Sequence, residues 1–127
     1  MDSLGRQLVV ELKDCNADLL NDLEFVEKVM LEAAQAAGAT TVAHSFHPFI
    51  PHGISGMVII AESHLAIHTW PEYKYAAIDI FTCGNTVNPD IAAQYLIDKF
   101  KCQDPSILEL KRGVILVGGN LKFKAET

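Results

Sequence analysis

Cysteine is scarce in this chain of 127 residues: Cys15, Cys83 and Cys102 form an odd set with no Cys-x-x-Cys spacing. That excludes a disulfide frame or a cysteine zinc site as the organising element. It fits free thiols in a reducing compartment, with the cytoplasm as the expected location. Basic residues are also few, ten Lys and Arg against sixteen Asp and Glu, for a formal charge of −6. A nucleic-acid-binding face needs a basic surface, so no nucleic-acid partner is expected. No apolar run reaches the roughly 18–20 residues of a membrane span, which excludes a spanning helix. The opening MDSLGRQLVVEL has an acid at position 2 and no apolar stretch running into small residues, so no export signal is read there. Internal repeats, low-complexity tracts and linkers are missing as well, and residues 1–127 are expected to form one domain. What is present is a chain 50% hydrophobic and 20% charged, the composition of a globular protein able to bury a core without staples.

The periodicities predict alternating strands and helices. GRQLVVEL (5–12) alternates loosely and reads as a first strand. In NDLEFVEKVMLEAAQAAG (21–38), Asn21 is the expected N-cap, with Glu24 three residues on. Leu23, Val26, Met30, Ala33, Ala34 and Ala37 follow at helical spacing, and Gly38 supplies the stop. TTVAHSFHPF (40–49) is β-branched and aromatic, a strand ended by Pro48 and Pro51, and PHGISG (51–56) is a loop. GMVIIA (56–61), HLAIHTW (64–70) and KYAAIDIFTC (74–83) are further strands. Asn88-Pro89 opens a second helix expected to turn Ile91, Tyr95, Leu96 and Phe100 inward. SILELKRGVILV (106–117) supplies one or two last strands, and GGNLKFKAET reads as a loose tail. The order predicts an α+β fold, a two-layer sandwich with a mostly antiparallel sheet covered by two helices.

One stretch resists a purely structural reading. In AESHLAIHTWPEY (61–73), the pair Glu62-Ser63 sits between two strand-like runs with no Gly, Pro, Asn or Asp to turn the chain. If the flanking strands form a hairpin, Glu-Ser is the whole connection, a poor choice for turns that favour positive φ. A strained bond there is a reservoir for chemistry. If the boundary lies elsewhere, the serine is a polar strand residue. Pairing Ala61 with His64 places His68 opposite Met57 and diagonally near Ser55. Ser63 and His68 remain five extended residues apart, roughly 16 Å, so the hairpin or a neighbouring subunit has to close the gap.

ESHLAIHTWPEY, with FHPFIPHGISGMVII before it and YAAIDIFTCG after it, resembles the prokaryotic class of S-adenosylmethionine decarboxylase, a pyruvoyl-dependent family that cuts its own chain. The resemblance spans roughly residues 3–100, including SLGRQLVVEL, and is dense from 46 to 84; the tail after about residue 103 is not diagnostic. A decarboxylase acting on an amino acid needs an electron sink that side chains do not offer. No phosphate-binding glycine loop or Schiff-base lysine for pyridoxal phosphate is apparent. The resemblance implies a sink made in place: Ser63 Oγ attacks the Glu62 carbonyl, and elimination and hydrolysis leave a pyruvoyl group at position 63. The products are chains 1–62 and 63–127. It assigns His68 as the proton acceptor in processing, with Ser55 assisting; an imidazole with a pKa of about 6.5 suits that work. Cys83 resembles the family's proton donor in decarboxylation, since a thiol of pKa about 8.5 is protonated at neutral pH. Trp70, Glu72 and Phe49 are candidates for binding S-adenosylmethionine: aromatic faces suit its sulfonium and adenine, and a carboxylate its ribose diol. The family's active sites lie between protomers, which implies at least a homodimer, and its product is the aminopropyl donor for spermidine synthesis.

The family pattern commonly reads SESHLTIHTWPE, whereas this chain has Ala61 and Ala66. Four other readings compete. The first is a related pyruvoyl-dependent arginine or ornithine decarboxylase, though the intact TWPE segment favours the nucleoside substrate. The second is a hydrolase or transferase using Cys83 with His68 or His47. The third is a metal site at His44 and His47, but in a strand their spacing sends the rings to opposite faces, so no metal is expected. The fourth is a non-catalytic dimer that only binds a nucleotide-like ligand.

Overall fold

The computed structural model describes residues 3–115. Six strands form one sheet: β1 (Gly5–Lys13), β2 (Thr40–Pro48), β3 (Ile54–Ala61), β4 (Ser63–Trp70), β5 (Tyr75–Cys83) and β6 (Asp104–Arg112). Their order across the sheet is β2-β3-β4-β5-β1-β6, with every neighbouring pair antiparallel. Alternation decides the buried face. Leu8, Val10 and Leu12 of β1, Leu65 and Ile67 of β4, and Ile78 and Ile80 of β5 are all buried, and of the intervening positions only Ala66 is. The expected α+β sandwich is therefore what forms, with the sheet antiparallel throughout.

Three helices, one more than expected, cover the buried face: α1 (Ala17–Leu20), α2 (Leu23–Ala36) and α3 (Pro89–Lys99), and a 3₁₀ turn at Pro71–Tyr73 joins β4 to β5. The cap of α2 is Asp22, whose carboxylate accepts from Phe25 N–H at 3.1 Å. Asn21, expected in that role, instead ends α1 and accepts from Gly53 N–H at 2.9 Å, tying the helix start to the loop before β3. Gly38, at φ 89°, turns the chain out of α2. Asn88 caps α3 as expected, accepting from Asp90 N–H at 3.0 Å. The inward face of α3 differs from expectation: Ile91 is 45% exposed, whereas Ala92, Ala93, Leu96 and Phe100 are buried. Ala92, Leu96 and Phe100 recur every four residues, and that stripe seats the helix on β1 and β5. Tyr95 lies half-buried at its margin, donating to Glu32 of α2 at 2.7 Å.

Two strand boundaries also move. β3 begins at Ile54 rather than Gly56, and the last strand, β6, begins at Asp104 rather than Ser106. The expected loose tail GGNLKFKAET lies outside the described residues. The opposite face of the sheet carries no helix among the described residues. It presents Met57, Ile59, Trp70, Leu108 and Leu110, each at least 39% exposed, alongside polar residues of the central strands.

Candidate active site

The β3–β4 hairpin turns one residue earlier than the sequence implied. Ile60 pairs with Ser63, so Ala61-Glu62 is the two-residue connection and Ser63 opens β4. The Ala61–Glu62 peptide is cis, and Ser63 has φ 111°. A residue with a Cβ rarely occupies that region, at a cost of order 1–3 kcal/mol, so the strain expected at the Glu62-Ser63 junction falls on the serine itself. The Ser63 hydroxyl lies 3.1 Å from Cys83 Sγ, because β4 pairs with β5 so that Ser63 meets Thr82 at the end of the ladder. The hydroxyl is thus positioned on the C-terminal side of the Glu62 carbonyl, with a thiol against it.

The same shift changes the partner of His68. It sits directly opposite Ser55 rather than Met57, and Ser55 Oγ is 2.7 Å from His68 Nδ1. Both lie on the sheet face without helices. The His68 ring centroid is 6.4 Å from that of Trp70, which in turn stacks on Tyr75 at 5.3 Å. Phe49 packs edge-on against His47 at 4.8 Å, and Glu72, in the 3₁₀ turn, pairs with His52 at 3.1 Å. Phe49, Trp70 and Glu72 therefore gather at the end of the sheet where β2 finishes and β3 begins, on the side of Ser55 and His68.

Two clusters result. Ser63 with Cys83 occupies one end of β4; Ser55 with His68, flanked by Trp70, occupies the other. Five residues at about 3.3 Å each separate Ser63 from His68 along the strand, roughly 16 Å, so one chain does not bring them into contact.

A family model described as S-adenosylmethionine decarboxylase matches residues 6–113, a span that contains both clusters whole. The chain belongs to the S-adenosylmethionine decarboxylase family. Among its relatives, an S-adenosylmethionine decarboxylase proenzyme of Thermodesulfovibrio yellowstonii is 57% identical over 115 residues, covering 91% of this chain and 85% of the relative. One of Moorella thermoacetica is 52% identical over 115 residues, covering 91% and 92%. The crystal structure of the adenosylmethionine decarboxylase from Aquifex aeolicus superposes with a TM-score of 0.87 at 29% identity, covering 95% of this chain and all of the other.

Within this S-adenosylmethionine decarboxylase fold, several features were hidden from sequence reading. Tyr75 is one: its phenol donates to Glu11, and burial first and that hydrogen bond second push its pKa up to about 12. Only the Trp70–Tyr75 register brings the two rings together, and no spacing in the sequence announces it. A second is Glu62 itself, 7% exposed, neither carboxyl oxygen of which has a hydrogen-bond partner. A third is Gly56, opposite Phe46, where an added Cβ would meet the Phe46 ring at 2.0 Å. The competing readings find less support. Cys83 is bonded to a serine hydroxyl, not to an imidazole. His44 pairs with Glu27 of α2 at 3.5 Å, while His47 lies on the open face opposite Ser55. Among the described residues, no group of three His, Cys, Asp or Glu is placed to hold a metal ion. No described helix is long and apolar enough to cross a membrane.

Proposed function

We infer that this protein is a self-processing decarboxylase that removes CO₂ from S-adenosylmethionine. The observation that carries the reading is the Ser63 hydroxyl, 3.1 Å from Cys83 and attached to a backbone at φ 111°, at the hairpin tip of a chain whose relatives at 48–57% identity are named proenzymes. Ser63 Oγ attacks the Glu62 carbonyl and the amide becomes an ester, relieving the positive φ imposed on an L-residue inside a continuous chain. His68, oriented by Ser55 at 2.7 Å, accepts the proton. Cleavage gives residues 1–62 and 63–127, which stay together because their strands interleave: β1, β2 and β3 belong to the first product and β4, β5 and β6 to the second, in sheet order β2-β3-β4-β5-β1-β6.

Position 63 fits a pyruvoyl group: it is half-buried, next to a thiol and at a chain end once cleaved. When formed, that group supplies the carbonyl that captures the substrate amine and takes up the electrons released with CO₂. Cys83 then holds a proton beside the carbon that must receive one. Trp70 and Phe49 offer aromatic faces to the sulfonium and adenine, and Glu72 keeps Oε2 free for the ribose hydroxyls while Oε1 engages His52.

The two clusters sit at opposite ends of β4, with Ser55 and His68 on the open face. A two-fold pairing of protomers that brings His68 of one to Ser63 of the other completes both sites at once, since an isologous interface exchanges the same two patches in both directions. The exposed Met57, Ile59, Leu108 and Leu110 supply apolar surface for that contact. The functional unit is therefore a homodimer of cleaved protomers.

Intact-mass analysis together with CO₂ release from S-adenosylmethionine, arginine and ornithine tests this reading. Two fragments meeting between Glu62 and Ser63, the second lacking a free amine, with release from S-adenosylmethionine, are expected. An uncut chain in active material, or release from arginine or ornithine alone, overturns it.

A further inference from the structure

We propose that the side chain of Glu62, beyond its part in the scissile bond, is the counter-charge for the α-ammonium of the substrate; this rests on the decarboxylase reading above. Glu62 is 7% exposed, and both carboxyl oxygens are buried without any hydrogen-bond partner. No Lys, Arg or His among the described residues pairs with it, although the surface carboxylates Glu72, Asp90 and Glu109 each hold an ion pair. A buried carboxylate left in this state is a liability that proteins retain where a ligand completes it. Its place in the chain says which ligand. Glu62 directly precedes Ser63, the residue expected to carry the substrate-capturing carbonyl, so the carboxyl lies one residue from where the substrate's amino acid end must arrive.

The substrate has two cationic centres, and hydrogen-bonding capacity separates them. A sulfonium has no N–H or O–H to give, and an aromatic face satisfies it. An ammonium has three donors, and a carboxylate with two vacant oxygens is its complement. Glu62 thus acts on the amine while Trp70 and Phe49 act on the sulfonium and the base.

Glu62→Gln keeps the shape and removes the charge. In the processed enzyme it is expected to raise KM by about 10- to 100-fold, the size of a charge-assisted hydrogen bond, with a smaller effect on kcat. The ligand-free variant should melt higher, by about 4 °C or more, because an uncompensated buried charge is gone. Three probes locate the effect by calorimetry: S-adenosylmethionine, S-adenosylhomocysteine (amine retained, sulfur uncharged) and 5′-methylthioadenosine (neither). The first two should weaken together and the third should be unchanged, with Glu62→Asp restoring part of the loss. If Glu62→Gln blocks cleavage, the same titrations on Ser63→Ala and Ser63→Ala/Glu62→Gln uncut chains decide the question. Equal weakening of all three probes, an unchanged S-adenosylhomocysteine affinity, or a lower melting temperature overturns the proposal. Wild-type protein found uncut and active would instead overturn the decarboxylase reading, a separate result read by mass alone.

Discussion

Ser63 and His68 cannot meet within one protomer, and that separation makes a complementation experiment decisive. Five residues of extended strand put them roughly 16 Å apart, whereas a proton acceptor works within about 2.6–3.2 Å of its target or through a single water. Ser63→Ala removes the proposed nucleophile, and the variant should stay uncut. His68→Ala removes the proposed base, and cleavage should slow by about 10²- to 10⁴-fold, the usual contribution of a positioned acid or base. Each variant alone should therefore be found whole. Co-expressed at equal levels, the two chains assemble at random, and about half of the His68→Ala chains pair with a Ser63→Ala chain in the two-fold arrangement. In that mixed dimer one site has Ser63 of the first chain and His68 of the second, and is complete; the other has neither. About half of the His68→Ala chains should be cut, with the downstream fragment carrying the His68→Ala substitution, a mass distinct from every wild-type product. If no fragment appears in the mixture although mixed dimers are present, His68 serves its own chain or does not serve at all, and the shared-site reasoning is wrong.

Three further outcomes follow from particular contacts. Cys83→Ala should still be cleaved but release CO₂ about 10²- to 10⁴-fold more slowly, comparing extent of cleavage by mass with turnover; equal loss of both would contradict a role confined to proton donation. Gly56→Ala forces a Cβ to 2.0 Å from the Phe46 ring, which is packed against the core. Overpacking of about 1–3 kcal/mol outweighs the roughly 0.5–1 kcal/mol that alanine gains in a strand, so the urea midpoint should fall, and Phe46→Leu on top of it should recover part of the loss. Tyr75, raised to about 12, should be among the last phenols to ionise in an absorbance titration, and Tyr75→Phe should delete that step. Because the folded pKa lies above the unfolded value of about 10, this phenol's contribution to stability is complete below about pH 10 and lost between about pH 10 and 12; a Tyr75→Phe variant with the same alkaline stability profile as wild type would refute it.

Much of this was legible in the residue order. Helix α2 announced itself through Val26, Met30, Ala33 and Ala34 at helical spacing and through Gly38 beyond its end, because such signals act within a few residues. The cap was misplaced by one position: Asn21 and Asp22 both offer a side-chain acceptor, and only the approach of Gly53 N–H decides which of them the helix uses. Ile91 looked as suited to the core as Leu96, yet the packing of α3 on β1 and β5 buries Ala92 and Ala93 and leaves Ile91 out. The resemblance around ESHLAIHTWPEY identified Ser55, Ser63, His68 and Cys83 as candidates without any geometry.

By itself, then, the sequence determined the order of the strands and of the two longer helices, the mostly antiparallel α+β class and the residue types available for chemistry, since periodicity, capping and turn propensity are local properties. Tertiary structure alone decided the register of the hairpin. A slip of two along one ladder keeps every side chain on its face but replaces Met57 with Ser55 as the partner of His68. It alone paired Ser63 with Cys83 through β5, and it alone buried the Glu62 carboxyl without a donor. Those outcomes depend on which strands lie side by side and where each ladder begins, choices made by the whole core at once.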